Sequence, residues 1–600
     1  MYMEKEKEKI NYKLVIFCFC RSCKLLFQTD FVRIIIIILL TIIAGFLPSI
    51  STVTMQIIVN SVQQANNTIS YLISYIILYA SIDIFNGLLA KLVAYQSFTV
   101  EKESSIKISL LILEKTKKLE LSDYENMNTY DMLQRAQNEI NGRLFNYFTS
   151  YLTILQSFIT IISNFFIINR WNMWVILILA FITIIRTMYL IWVGKKKYSI
   201  LRKRTTKERK KWYYQFLLTN DIAFKEIKIY DLYNHFINKF KEISFDFFEQ
   251  DRKINRNQNF FDAIFTLADA IISGIIFGFL IISSKLGRIL IGDAMAYTRS
   301  ISNIKNNIES FCLQIVAIWE NTLYISQLFE LLDIKKNKEI SKENMVKIEK
   351  VEKIELINVS YRYESSNKYV LKDINIVLDN NELFFLVGKN GSGKSTLVKL
   401  ISGYYEDYEG IILINGIDFK SINKEYYRKK IGILLQDFMK YEFTIRENVT
   451  LSNLIHYSDD DKINNILKSI GFTNYETIDT QLGYWFENGY QLSGGEWLKI
   501  ALGRAFNRNA EIYILDEPNA ALDPIAETEI LQHFNQLVYH NIGIIVTHRI
   551  SSIIKGNGKI IVMDNGRIID IGNHNELYLA CQLYKELFIA SRREEVYEEV

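Results

Sequence analysis

Ile34 to Leu40 is an unbroken apolar run directly behind Arg33. Comparable stretches recur through the first 330 residues. A bilayer crossing needs about 20 predominantly apolar residues. Five segments meet that length: Ile34–Ile58, Ile69–Leu92, Tyr147–Ile168, Trp174–Val193 and Phe260–Ile282. A sixth, Asp293–Trp319, is more polar and would escape a hydropathy threshold. Buried helices of a soluble protein are the alternative, but single buried helices rarely repeat at this strength. Orientation follows from the loops. Gly194 to Gln258 holds seventeen Lys/Arg against eight Asp/Glu, whereas Val59 to Asn67 holds none. The N-terminus, the second-to-third and fourth-to-fifth loops, and everything after the sixth span are therefore expected in the cytoplasm, in a multi-pass protein of the cell membrane with lipid around its spans. The inner loops are long and helix-patterned, and the outer ones short.

Composition changes after the sixth span to an ordinary soluble mixture. The length of 600 residues calls for more than one core, and a net charge of +4 carries no nucleic-acid footprint. Met1 to Lys9 is a Lys/Glu run, not the basic lead-in of a secretory signal. Proline occurs only at positions 48, 518 and 524, so little interrupts the helices. Cys18, Cys20 and Cys23 form Cys-x-Cys-x-x-Cys, which has two readings: metal ligands, or part of an amphipathic segment, Lys13 to Gln28, lying at the membrane surface. No fourth Cys or nearby His completes a zinc site. The expected division is 1–30 as an N-terminal cytoplasmic or interfacial segment, 31–332 as the membrane domain, 333–348 as a charged linker, and 349–600 as a second, α/β domain.

In that second domain an apolar strand, Glu382 to Val387, runs into Gly388-Lys-Asn390-Gly391-Ser392-Gly393-Lys394-Ser395-Thr396 and then a helical Leu-Val-Lys-Leu. This is a P-loop in its strand–loop–helix setting. Glycines let backbone N–H groups close around phosphates, and the helix N-terminus adds a positive field. Lys394 is expected on the β- and γ-phosphates and Ser395 on Mg²⁺. A second strand, Ile512 to Leu515, ends in Asp516-Glu517. Beside a P-loop, such a pair lets one acid hold Mg²⁺ through water while the next takes a proton from attacking water.

Between them, Leu492-Ser493-Gly494-Gly495-Glu496 opens a helix from Trp497 to Phe506. This string resembles the signature motif of the ABC ATPases. The resemblance implies an ABC exporter fold: six spans and a P-loop NTPase domain, hydrolysing ATP with Mg²⁺ to drive transport. It also implies roles residue by residue. Tyr363 resembles the aromatic that stacks on adenine, with Tyr361 as the alternative. Gln436, closing the strand Ile431 to Leu435, resembles the glutamine that senses Mg²⁺. Asp523 in Ala-Leu-Asp resembles the loop that crosses between two ATPase domains, and His548 the switch histidine on the γ-phosphate. Glu517 would be the base. His235, His533 and His540 have no such setting. Ser493, Gly494 and Gly495 are implied to cap ATP bound by a second copy. Only one P-loop and one signature occur, so two chains are needed; neither set is degraded, which fits a homodimer and leaves a heterodimer open.

Longer stretches sharpen the likeness. Ser122 to Glu125, Asn220 to Tyr230, Gln436 to Asn448 and Asp479 to Gly495 resemble the lanthipeptide exporters, the nisin and subtilin transporters, over nearly the whole chain. Glu496 stands where many members carry Gln. The first two stretches resemble coupling helices that dock on the ATPase domain, with Glu487 to Gly489 placed like the loop they touch; apolar Ile222 and Phe224 at an exposed tip favour docking over solvated turns. Only Met1 to Arg33 precede the first span, leaving no room for an N-terminal cysteine peptidase, so a peptide precursor would leave with its leader attached. Lanthipeptide-modifying enzymes are implied partners. On the sixth span, Arg299, Asn303, Asn306 and Ser310 recur at helical spacing beside Lys305 and Glu309. They either line a watery cavity, with Arg299 and Lys305 near an acidic leader, or hold helices together. A multidrug or lipid exporter shares the fold and motor, and a non-transporting membrane ATPase is the reading from another class; intact coupling tips and full spans argue against the latter.

Overall fold

The computed structural model describes residues 12–598 apart from 65–67, 127–128, 130–131, 134–141, 172, 222, 335–344, 364–365, 519–521, 523, 549–552 and 554–557. The chain divides into two compact units: Met1–Lys118 with Asp131–Ile334, and Leu119–Tyr130 with Lys335–Val600.

The first unit is helical. In chain order, α1 covers Tyr12–Phe27, α2 Phe31–Gln63 and α3 Ile69–Thr116. The short α4, Leu121–Glu125, belongs to the second unit. Then come α5 at Arg143–Asn169, α6 at Met173–Thr219, α7 at Phe224–Ile229, α8 at Tyr233–Lys285 and α9 at Ile291–Asp333. At 1.5 Å per residue, α3, α6 and α8 are each roughly 70–80 Å long, more than twice the hydrocarbon thickness of a bilayer. Among the described residues, α2, α3, α5 and α8 carry an apolar stretch sufficient to cross a membrane. The polar α9 does not reach that threshold. Large apolar side chains such as Ile77 and Leu88 on α3, or Ile271 and Ile275 on α8, are exposed on the protein's outside, where lipid is the matching solvent.

Small and polar side chains bring the inner helices together. Thr160 Oγ1 on α5 donates to the Gly45 carbonyl of α2 at 2.8 Å, and Asn164 Nδ2 donates to Ser49 Oγ at 2.8 Å. A Cβ at Gly45 would stand 2.9 Å from the Ile159 side chain, so the glycine permits the close approach. The N-terminus of α9 is held by Asp293, whose Oδ1 accepts from both Gln56 and Asn60 of α2 at 2.7 Å. Helix α1 is seated on the same bundle through the Arg21–Asp333 ion pair and the hydrogen bond from Tyr147 Oη to the Val15 carbonyl. Around α1, Cys18 is buried, Cys20 exposed and Cys23 intermediate. They face different ways, and among the described residues no three His, Cys, Asp or Glu side chains gather around a metal position.

The second unit holds two sheets. Strands β1 (Lys353–Tyr361), β2 (Leu371–Asp379), β4 (Glu409–Ile414) and β5 (Ile417–Asp418) form an antiparallel sheet in the order β2-β1-β4-β5. Strands β3 (Leu383–Gly388), β6 (Ile431–Leu434), β7 (Ile512–Asp516), β8 (Ile542–Val546), β9 (Lys559–Asp564) and β10 (Arg567–Gly572) form the order β10-β9-β3-β8-β7-β6, parallel from β9 to β6. The period of two along each strand sends alternate side chains to opposite faces. Phe384, Leu386, Ile514 and Ile544 join one core, and Phe385, Val387, Leu515 and Ile545 the other. Helix α10 (Lys394–Ile401) packs into the first core. Helices α11 (Ile445–Thr450), α12 (Asp460–Ser469), α13 (Gly494–Phe506) and α14 (Pro524–Val538) pack into the second.

Candidate functional site

Parallel strands ending at one edge place their following loops together, and ligands of such sheets bind beyond the strands' carboxyl ends. Here that edge carries the P-loop after β3, Gln436 after β6, Asp516 and Glu517 at the end of β7, and His548 after β8. Strand β6 stops at Leu434, one residue short of the expected end.

The P-loop's shape rests on glycines. Gly391 and Gly393 have φ of +78° and +103°, which L side chains rarely adopt. A Cβ at Gly388 would lie 2.2 Å from the Met563 carbonyl, and nothing lies within 4 Å of a Cβ at Gly391. Lys394 is buried and its Nζ donates to the carbonyls of Gly388 at 2.8 Å and Lys389 at 3.1 Å, folding back over the loop it closes. Burial lowers its pKa, against the opposing pull of Glu517 and Asp516. Asp516 is buried too. Burial raises its pKa, the neighbouring Glu517 charge adds to that, and a hydrogen bond from Ser395 opposes it. Among the described residues Asp516 Oδ1 is buried with no hydrogen-bond partner. That free carboxylate oxygen beside the Ser395 hydroxyl is a hard-oxygen donor set of the kind Mg²⁺ takes, so the residues fit the ion.

Glu517 sits at the focus. Its φ is +52°, uncommon for a non-glycine residue and a form of local strain that concentrates at functional sites. Its backbone N–H donates to the Val546 carbonyl at 3.0 Å, tying the turn to β8. Its carboxylate is held from both sides: Gln436 Nε2 donates to Oε2 at 2.7 Å, and His548 Nε2 lies 2.7 Å from Oε1. The three residues expected to carry the chemistry are thus in direct contact. Asn390 and Ser392 lie within the P-loop, and Ser392 is buried. Asp523 lies outside the described residues.

The two aromatic candidates differ in packing. Tyr361 is 5% exposed and stacks on Tyr405 with ring centroids 4.7 Å apart, so its faces are engaged in the core. Tyr363 is partly exposed, and its Oη shares a 3.0 Å hydrogen bond with Thr396 Oγ1 at the start of α10. Tyr363 is the more accessible of the two rings. Beyond the reach of the sequence motifs, Tyr405 Oη donates to Glu125 Oε1 at 2.9 Å, and Leu121 packs on the same core. Burial, then the Glu125 carboxylate, pushes the Tyr405 phenol well up. The segment Ser122 to Glu125 therefore packs within the second unit. At the other tip, Phe224, Ile229 and Tyr230 are exposed, Ile227 is buried, and Ile222 lies outside the described residues.

The signature string begins its helix earlier than the sequence pattern indicates. Ser493 is the N-cap of α13; its Oγ accepts from Glu496 N at 3.3 Å while Glu496 Oε2 accepts from Ser493 N at 2.8 Å. This is a capping box, in which Glu and Gln serve alike. Ser493 and Gly494 are exposed, and nothing lies within 4 Å of a Cβ at Gly494. Gly495 follows in the first turn. Because α13 and α10 pack on opposite faces of one sheet, the signature and the P-loop of a single chain belong to different cores.

Comparison with known proteins gives the following. Residues 371–520 match the family model described as ABC transporter. The chain is 36% identical to the subtilin transport ATP-binding protein SpaT of Bacillus subtilis, covering 97% of this chain and 96% of that one. It is 37% identical to the nisin transport ATP-binding protein NisT of Lactococcus lactis subsp. lactis, covering 96% of each. The putative multidrug export ATP-binding/permease protein YgaD of Bacillus subtilis (strain 168) is 27% identical over 78% of this chain and 81% of its own length. Among solved structures, a bacterial Atm1-family ABC exporter with ATP bound superposes with a TM-score of 0.71 at 18% identity, covering 93% of this chain and 98% of that one, which gives the fold.

Proposed function

The chain belongs to the ABC transporters, in the family of the subtilin and nisin transport ATP-binding proteins, and on that premise we propose that it exports a lanthipeptide precursor across the cytoplasmic membrane at the expense of ATP. The observation that carries this reading is identity of 36–37% along almost the entire length, membrane unit included, with two proteins named for lantibiotic transport. The likeness to the multidrug protein is weaker in identity and in coverage.

In this reading ATP lies on the P-loop with its base against Tyr363, and its phosphates meet Lys394 and the backbone N–H groups of Gly388 to Thr396. Mg²⁺ would be held by Ser395 and Gln436, with Asp516 behind it, and would supply charge neutralisation at the phosphates. Glu517 accepts the proton of the attacking water, and His548 and Gln436 fix its carboxylate. The ring of contacts around Glu517 supports these roles.

Two copies complete the machine. The opposite-face placement of α10 and α13 supports a signature that serves the partner's nucleotide, and Asp523 is the residue proposed for the loop between the two ATPase domains. So do two apolar patches exposed in the single chain: Phe224, Ile229 and Tyr230 at the second tip, and Tyr484, Trp485 and Phe486 just before the signature. The ATPase unit lies on the cytoplasmic side, and the enzymes that modify the peptide are the partners expected there.

Deleting the gene in the producing cell tests the reading. Full-length modified precursor should accumulate inside and disappear from the medium. Precursor released at the normal rate would overturn it and favour a multidrug or lipid substrate.

A further inference from the structure

Three membrane helices direct ionisable side chains at one place that ATP chemistry does not use. Arg186 on α6 makes a two-pronged ion pair with Glu309 on α9, Nη1 to Oε2 at 3.0 Å and Nη2 to Oε1 at 2.9 Å. Asp262 on α8 stands 3.6 Å from the same Nη2. One turn from Glu309 along α9, Lys305 pairs with Asp269 of α8. Arg186, Glu309, Lys305 and Asp269 line a small cavity of about 10 Å³, room for roughly one water. All five groups lie within the stretches read as the fourth, fifth and sixth spans.

Two cations here face three carboxylates. With every group ionised the cluster carries one negative charge in excess. Among the described residues Asp262 Oδ1, 3.6 Å from Arg186 Nη2, is cut off from solvent and makes no hydrogen bond, and Arg186 Nε is likewise buried without one. Holding helices together does not require this arrangement, because apolar packing of similar volume is often as stable as a buried ion pair. Ionisable groups at membrane depth instead mark the path of a substrate or ion.

We infer that the cluster is a seat for cationic groups of the cargo, lysine ammonium or arginine guanidinium, and that Arg186 and Lys305 occupy it in the cargo's place when the pathway is closed. The inference rests on the peptide-export reading. It reverses the sign expected from the sequence, where Arg299 and Lys305 were to draw an acidic segment. Lys305 is already paired with Asp269, and Arg299 donates to Ser51 Oγ at 3.2 Å and to Tyr79 Oη at 3.5 Å. As the helices part, Asp269 and Glu309 exchange their internal partners for the cargo's, and Asp262, paired to Arg186 at 3.6 Å without a hydrogen bond, has the weakest internal hold of the three. No net charge need then be stranded in the low-dielectric interior.

The test uses the full-length protein in phosphatidylcholine vesicles, whose surface has no net charge to bias the probes. Three synthetic peptides of equal length alternate Ala with Lys, with Gln or with Glu, and stimulation of ATP hydrolysis is titrated with each. The Lys peptide should act at a concentration about tenfold lower than the Gln peptide, the scale of one desolvated charge pair, with the Glu peptide weakest. Asp269→Asn and Asp262→Asn should each narrow the gap between Lys and Gln peptides to within about twofold, and Asp262→Glu should restore it. Equal stimulation by all three peptides, which needs no variant, would overturn the seat while leaving peptide export standing. A full Lys preference retained in both Asn variants would do the same. No stimulation by any of the three would overturn the seat, while accumulation of precursor after gene deletion decides peptide export separately.

Discussion

The two units place their polar chemistry in opposite ways. In the ATPase unit the working groups sit in short strings at strand ends, Gly388 to Thr396 and Asp516-Glu517, because a parallel sheet delivers its strand termini to one edge and the backbone itself binds phosphate. In the membrane unit the partners come from three long helices; Arg186 and Glu309 are 123 residues apart, and no local string marks either. Sites built from backbone groups must be written contiguously, while sites built from side chains across a bundle need only periodic spacing on each helix.

Substitutions can break or sharpen that contrast. The largest effect belongs to the string-coded site. Glu517→Gln should keep nucleotide binding and lower turnover of the purified protein by about 10²-fold or more, the lower end of general-base contributions. Near-normal turnover would remove Glu517 from that role. Next, Lys394→Ala and Ser493→Ala chains, each inactive alone, should regain ATPase when mixed, since every mixed dimer keeps one intact composite site. If mixtures never exceed either parent, the signature does not serve the partner's nucleotide in this way, or both sites must fire together. Disulfide trapping of cysteines placed at the two motifs would separate those cases. The dispersed site should behave differently. Arg186→Gln leaves Glu309 without its main partner and should lower stability in a thermal-shift measurement, by about 1–3 kcal/mol for a half-buried pair, and the Arg186→Gln/Glu309→Gln double variant should recover part of the loss. A fully additive double variant would show that the pair is not coupled. The smallest change is Glu496→Gln, which keeps the capping box and should move both ATPase and stability within roughly 0.5 kcal/mol.

Legibility followed the same line. Gln436 and His548 were expected from the resemblance and Glu517 from its place after a strand beside a P-loop, and the structure brings the three into one hydrogen-bonded group. The choice between Tyr361 and Tyr363 was not readable, since it depends on Tyr405, a residue 44 positions from one and 42 from the other whose ring fills the space beside Tyr361. Glu125 was readable as part of a coupling tip but not as the acceptor of the Tyr405 hydroxyl. On α9 the polar stripe was visible, yet its charge state was not. Asp262 and Asp269 lie on a helix apolar enough to cross the bilayer, where two acids do not alter the hydropathy signal.

The capping arrangement at Ser493 has a consequence for how assembly is sensed. Its hydroxyl oxygen already accepts from the Glu496 backbone, so the hydroxyl proton is the part left to point away from the helix. An anion presented by a neighbour would meet a donor there, while one lone pair of the oxygen stays unused. In the proposed dimer one hydroxyl would thus do two things, cap helix α13 and meet the partner's phosphate. A signature helix that frays loses its cap and with it the oriented proton.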